Sequence, residues 1–193
     1  MSRPPSLVLA SASPRRQELL AGLGVAFTVV PSDIPEEHPA APPPEAIAAV
    51  ALAKARAVAL RLPSDAVVLG ADTEVVLDGR LLGKPRDAAD AVRILRELRG
   101  RTHEVITGVA LVARGGEEAT AVTTRVTMRD YDTPEIEAYV ATGEPLDKAG
   151  AYGVQGLGAR LVARVDGCLT NVVGLPISTT RELLERWGVL SPR

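Results

Sequence analysis

One cysteine, two histidines, one Trp, one Phe and three Tyr among 193 residues narrow the chemistry before any motif is read. The single Cys168 excludes an internal disulfide and a cysteine-based metal cluster. His38 and His103 lie far apart in sequence, which argues against a His-rich zinc site and against a Ser-His-Asp triad. So few aromatics leave little on which single-stranded bases could stack, and a formal net charge of −2 lacks the basic surplus of a duplex binder, so no nucleic-acid partner is expected. No apolar run approaches the ~18 residues of a membrane span, and Leu7 to Ala10 is too short for a signal-peptide core. The expectation is a cytoplasmic protein without a membrane partner. Both standard nucleotide fingerprints are missing as well. The glycines at 150, 153, 156 and 158 do not lead from a strand into a helix as G-x-G-x-x-G requires, and no G-x-x-x-x-G-K-[ST] occurs.

What is present is an ordinary globular composition, 46% hydrophobic and 24% charged, in a length that predicts one domain over residues 1–193. Lysine is scarce: all but three of the 22 basic residues are Arg. Where Arg fills nearly every position that needs only charge, Lys54, Lys84 and Lys148 rank as candidates for sites that need a compact ammonium.

The stretch Ser11-Ala-Ser-Pro-Arg-Arg16 stands where an apolar strand, Ser6 to Ala10, turns into an amphipathic helix. Ser13 suits the N-cap, Pro14 the first helical position, and Leu19, Leu20 and Leu23 repeat at helical spacing before Gly24. Backbone N–H groups and the positive end of the macrodipole favour an anion at such a terminus. Arg15 and Arg16 oppose that dipole, so they are either solvated surface residues or partners of a bound phosphate.

Further along, Ala26 to Val30 reads as a strand entering the acidic loop Ser32 to Glu37, and Pro39 to Pro44 as a connector. Glu45 to about Leu62 reads as a helix with Lys54 on its apolar face, where an ammonium must snorkel, pair with an acid or meet a ligand. Ala66 to Gly70 and Val75 to Leu77 read as two strand runs, which places Asp72 at or just past a strand end. There it is either a metal-binding or catalytic carboxylate or a turn-forming Asp. Asp87 caps a helix to Leu98, and Val105 to Ala113 pairs with Ala119 to Met128. A helix starts at Thr133, strands span Leu161 to Val165 and Leu169 to Val173, and a last helix from Thr179 to Trp187 is capped by Ser178. Cys168 is expected as a small buried strand residue, and neither histidine needs a catalytic role. Helices and strands that alternate and then form hairpins predict an α/β or α+β fold around a mixed sheet.

The blocks Leu9-Ala-Ser-Ala-Ser-Pro-Arg-Arg-Gln-Glu-Leu-Leu20, Gly70-Ala-Asp-Thr73, Gly83-Lys-Pro-Arg-Asp87, Asp147-Lys-Ala-Gly-Ala-Tyr-Gly-Val-Gln-Gly156 and Val173-Gly-Leu-Pro-Ile177 follow in order along the chain. Together these five blocks resemble the Maf family of nucleoside triphosphate pyrophosphatases over nearly the whole chain. The resemblance implies an α/β fold of the Maf/ITPase kind, a mixed twisted sheet with flanking helices and a deep cleft. It implies hydrolysis of a nucleoside triphosphate between its α and β phosphorus, with a divalent cation, Mg²⁺ or Mn²⁺. Arg-Arg after Ser-Pro, Thr73 after Ala-Asp and Gln155 match the branch acting on dTTP and UTP; the 7-methyl-GTP branch typically differs at the first Arg and after Ala-Asp. A housecleaning role toward modified nucleotides and a nucleotide-responsive role in septum formation are the alternatives, and a homodimer is what the family suggests.

The roles implied are chemical ones. Asp72 would bind the metal, with Glu36 as a second ligand or as the base that orients water; Glu37 competes for that assignment, and Pro35 replaces a commonly acidic position. Arg15, Lys54 and Lys84 would neutralise the triphosphate and departing pyrophosphate, and Ser11 would hydrogen-bond a phosphate. Arg16, Thr73 and Gln155 would recognise the base, an amide matching the donor and acceptor edge of uracil or thymine.

Overall fold

Strand alternation at the N-terminus sends Leu7 and Leu9 to one side and Val8 and Ala10 to the other, and both sides are buried. The structure, a computed structural model, describes residues 6–62 and 65–192. Strand β1 (Ser6–Leu9) leads into α1 (Pro14–Ala21), β2 (Phe27–Val29), α2 (Pro43–Ala59), β3 (Ala66–Leu77), β4 (Arg80–Leu81), α3 (Ala88–Leu98), β5 (Thr102–Ala113) and β6 (Gly116–Met128). Helix α4 (Thr133–Val140), three short 3₁₀ segments between Glu144 and Leu161, β7 (Val162–Asp166), α5 (Leu169–Val173) and α6 (Ile177–Arg186) complete the chain. The strands form one seven-stranded sheet in the order β2-β1-β3-β5-β6-β7, with β4 beside β3. Strand β1 runs parallel to β2 and β3, whereas β4 is antiparallel to β3 and β7 to β6, so the sheet is mixed. None of the described helices is long and apolar enough to cross a membrane.

The chain divides into two compact units, the first comprising the chain up to Asp72, Thr107–Val122 and the segment from Gly174, the second Thr73–Ile106 and Thr123–Val173. The first unit has an apolar cluster on each face of its strands. Leu7, Leu9, Leu69, Val109 and Leu111 pack with Leu20 of α1 and Leu183 and Leu184 of α6, while Val8, Val68 and Ala110 pack with Ala51, Ala55 and Val58 of α2. Gly70 fixes how closely α2 approaches, since a Cβ there would lie 2.2 Å from the Ala51 carbonyl oxygen. The second unit has its own core, in which Ile94, Leu95 and Leu98 of α3 meet Val75, Leu77, Val126, Met128 and the rings of Tyr131, Tyr139 and Tyr152.

Four local expectations are corrected. Ala66 to Leu77 is one uninterrupted strand, so Asp72 lies in the middle of β3 instead of at its end. The Asp reads as a break from sequence, but ionic partners let the buried strand continue through it. Leu169–Val173 is a helical turn, not a strand. Gly167, at φ 132°, redirects the chain, and Thr124 Oγ1 donates to the Cys168 carbonyl while accepting from the Cys168 N–H and from Asn171 Nδ2. Cys168 is accordingly half-buried in the connection before that turn, its Sγ 3.2 Å from Thr170 Oγ1. Finally, α2 and α6 begin two residues early, at Pro43 and Ile177, because proline at an N-terminal position has no N–H to leave unsatisfied; Ser178 lies inside α6 and is not its cap.

Candidate active site

The turn from β1 to α1 is organised by Ser11. Ser13 occupies the N-cap with extended backbone angles, yet its own hydroxyl caps nothing. Its N–H donates instead to Ser11 Oγ at 3.3 Å, and Arg16 Nη1 donates to the same oxygen at 3.2 Å. With both lone pairs engaged, the Ser11 hydroxyl keeps its proton as a donor. Arg16 Nε also donates to the Gly174 carbonyl at 2.9 Å, fixing the guanidinium between the turn and the chain entering α6. Burial pushes the Arg16 pKa down, the charges of Asp72 and Glu36 oppose that, and Arg15 adds to it. A guanidinium stays protonated throughout, so the net result is a fixed cation within reach of two carboxylates.

Those carboxylates meet Lys54. On α2 the stripe Ile47, Val50, Ala51, Lys54, Ala55 and Val58 is buried, and the lysine within it is only 4% exposed. Its Nζ donates to Glu36 Oε1 at 2.6 Å and to Asp72 Oδ1 at 2.7 Å. Of the three options open to a lysine on an apolar face, pairing with acids is the one realised here. Asp72, 2% exposed, has its other oxygen, Oδ2, 2.9 Å from His38 Nε2. The order Glu36, Lys54, Asp72, His38 is therefore a continuous polar chain in the first unit. Of the adjacent glutamates it is Glu36 that reaches Lys54, and Glu37 is exposed.

Arg15, half-buried, follows Pro14 in α1, and Thr73, Lys84 and Gln155 belong to the second unit. Thr73 is half-buried, and Lys84 and Gln155 are exposed. Gly83, just before Lys84, accepts the N–H of Gly150 at 2.8 Å, which joins the lysine's loop to the glycine-rich segment. That segment is held at both ends. Near its start, Gly150 has φ 70°, and a Cβ there would lie 2.7 Å from Val75 Cγ2. Beyond Gln155, the Glu144 carboxylate accepts the N–H groups of Leu157 and Gly158 and the Tyr139 hydroxyl, each at 3.0 Å. Burial pushes the Glu144 carboxyl up, but the Gly158 and Leu157 N–H groups, Tyr139 and the Lys148 charge outweigh it and hold it below the usual range. Lys148 Nζ donates to the Glu144 carbonyl and to Asp147 Oδ1, the latter at 2.6 Å. His103 Nε2 lies 2.7 Å from the Tyr152 hydroxyl, both buried.

Three of these residues were missed from sequence. His38 sits two positions past Glu36 in the acidic loop and carried no spacing signal. Glu74 follows Asp72 on the same face of β3, a relation visible only once the strand is known to be continuous. Glu144 lies in no motif and acts through the backbone. For a divalent cation the donor chemistry fits: the carboxylates of Asp72 and Glu74, both buried, are oxygen ligands of the kind such ions take, and His38 beside Asp72 adds a nitrogen.

A mixed α/β sheet of this kind, carrying a buried ammonium between carboxylates and a cationic strand-to-helix turn, defines the class of the protein. In fold it is similar to the Ham1 protein of Staphylococcus aureus, with a TM-score of 0.53 at 15% identity, covering 94% of this chain and 97% of that one. A family profile described as Maf-like protein matches residues 6–187, and the chain belongs to that family. It is 60% identical over 186 residues, 95% of each chain, to a protein of Moorella thermoacetica named dTTP/UTP pyrophosphatase. A protein of Myxococcus xanthus with the same name is 54% identical over 187 residues, 96% of this chain and 94% of that one.

Proposed function

We propose that this protein is a cytoplasmic nucleoside triphosphate pyrophosphatase that hydrolyses dTTP and UTP to the monophosphate and pyrophosphate. The observation that carries the chemistry is Lys54, buried and bonded to both Glu36 and Asp72, with the Arg16 cation fixed nearby. The substrate choice is supported by the relatives of that name and by Arg15, Arg16, Thr73 and Gln155 at the expected positions.

Water attacks the α-phosphorus, the bond from that phosphorus to the bridging oxygen breaks, and pyrophosphate leaves. Glu36, the more exposed carboxylate, takes the water proton, and Lys54 holds it in place. Ser11 donates its hydroxyl proton to a phosphate oxygen, and Arg15 and Lys84 add positive charge to the triphosphate. Arg16 donates to Ser11 and Gly174 and so positions the phosphate turn, and together with Thr73 and Gln155 it carries base choice. A divalent cation, Mg²⁺ or Mn²⁺, would be held by Asp72 and Glu74 and would supply neutralising charge to the phosphates.

Incubation of the purified protein with each triphosphate and Mg²⁺ or Mn²⁺ tests this. Pyrophosphate is the expected product, fastest from dTTP and UTP; orthophosphate would refute the reaction, and a preference for 7-methyl-GTP the specificity.

A further inference from the structure

We propose that His38 is a ligand of the divalent cation, its Nε2 binding beside Asp72 Oδ2 and biasing the site toward Mn²⁺ and related transition-metal ions over Mg²⁺. The inference rests on the cation reading above and assigns a role to a residue that the triphosphate chemistry leaves unused.

Three observations converge on it. Lys54 donates to Oδ1 of Asp72, which fixes the carboxylate and turns its other oxygen toward the imidazole. The separation of that oxygen from Nε2 is 2.9 Å. Two ligands in neighbouring positions of an octahedral ion, with bonds of about 2.1 Å, stand about 3.0 Å apart, so the pair is already spaced to share one ion. The His38 side chain is 16% exposed and that of Asp72 3%, so the imidazole sits on the solvent side of a buried carboxylate, where an ion could enter. Chemistry then sets the preference. Mg²⁺ takes oxygen almost exclusively and parts reluctantly with water, whereas imidazole suits the later first-row ions. A nitrogen donor in an otherwise carboxylate site therefore raises the affinity for Mn²⁺ over Mg²⁺, and for the later transition-metal ions more strongly still.

The alternative is that His38 only donates a hydrogen bond to Asp72 and orients it. Pulsed electron paramagnetic resonance on the Mn²⁺-loaded protein without nucleotide separates the two, because a coordinated imidazole imprints nitrogen modulation on the Mn²⁺ echo. The chain has two histidines, and His103 is bonded to Tyr152 in the core of the second unit, so an imidazole signal is assignable. The expected result is ¹⁴N modulation in the wild type, its replacement by a ¹⁵N pattern when the protein is grown on ¹⁵N-histidine, and its loss in His38→Gln. Calorimetry should show the Mn²⁺ dissociation constant of His38→Gln raised about tenfold, with Mg²⁺ affinity changed less than about twofold. Absence of ¹⁴N modulation from bound Mn²⁺, failure of Mn²⁺ to bind, or wild-type Mn²⁺ affinity in His38→Gln would each overturn the proposal. The readout needs no turnover. A protein that shows the nitrogen signal but releases no pyrophosphate from UTP would refute the proposed function and leave the ligand assignment standing.

Discussion

In the first unit a buried ammonium and carboxylates answer one another, Lys54 between Glu36 and Asp72 and Arg16 within electrostatic reach of both carboxylates. In the core of the second, neutral rings and hydroxyls also pair, His103 with Tyr152 and Tyr131 donating to the Leu95 carbonyl, while Glu74 and Asp90 are buried carboxylates. The two arrangements cost different things. Removing ions from water is expensive, and a buried ion pair often contributes no more to stability than well-packed apolar residues would. An unpaired ammonium on the α2 stripe would be worse still. The charges of the first unit therefore make sense as machinery for a polyanion and a cation. The contacts of Tyr152 and Glu144 in the second make sense as supports, since they hold the segment that carries Gln155.

Lys54→Met should produce the largest effect and separates machinery from support. It leaves Asp72 buried beside an apolar side chain, which should cost about 3–5 kcal/mol in urea unfolding. Triphosphate hydrolysis should fall about 10²- to 10³-fold. Adding Asp72→Asn should restore much of the stability and none of the turnover. A double variant that regained activity would show that the buried charges are structural after all.

Next in size is a pH effect confined to the second unit. Burial pushes the His103 pKa down to about 4 from about 6.5. Between those values the unfolded chain binds a proton that the native state refuses, so stability is full above about 6.5 and falls as pH drops toward 4. The loss can reach ~3 kcal/mol over that window. Urea titrations at pH 7, 5.5 and 4.5 should show a smaller decline in His103→Gln than in the wild type. Parallel curves would mean that this imidazole is not kept neutral by its surroundings.

The same contrast governs how far the sequence could be read. Periodicity located the helix bearing Lys54, and cap chemistry located α3, where Asp87 does accept the Asp90 N–H at 2.8 Å. Charge on an apolar stripe pointed at Lys54 without naming its partners, because Glu36 and Asp72 reach it only through tertiary folding. Local propensity failed where distant contacts decide. Asp72 reads as a strand break because its satisfaction by Lys54 is invisible along the chain. Leu169 to Val173 reads as a strand because the Thr124 and Asn171 bonds that wind it into a turn come from residues more than forty positions apart. His38 could not be ranked above any loop histidine until Asp72 was found next to it.

Gly150→Ala should come third. The substitution combines a positive φ with a Cβ inside the Val75 side chain, and overpacking of this kind costs about 1–3 kcal/mol. If the second unit is a support, the loss should appear in Tm together with a raised KM for UTP, because the strain enters the segment that ends in Gln155. Loss of Tm with an unchanged KM would confine Gly150 to packing.

Glu144→Gln is the mildest change and the sharpest probe. An amide has one accepting oxygen where the carboxylate has two, so the side chain can no longer serve both the Oε1 partners, Tyr139 and Gly158, and the Oε2 partner, Leu157. Losing one such bond should cost about 1 kcal/mol, little enough for the protein to fold normally. The consequence should instead fall on discrimination. Gln155 precedes the tethered N–H groups by two and three residues, and on the role in base choice proposed for it, loosening them should let its amide shift relative to the base. The ratio of kcat/KM for UTP to that for CTP should drop about fivefold, the ~1 kcal/mol expressed as specificity, while the rate of pyrophosphate formation at saturating UTP stays near wild type. A fall in that saturating rate with the ratio intact would place Glu144 with the charges of the first unit, and the division of labour drawn between the two units would fail at its weakest contact.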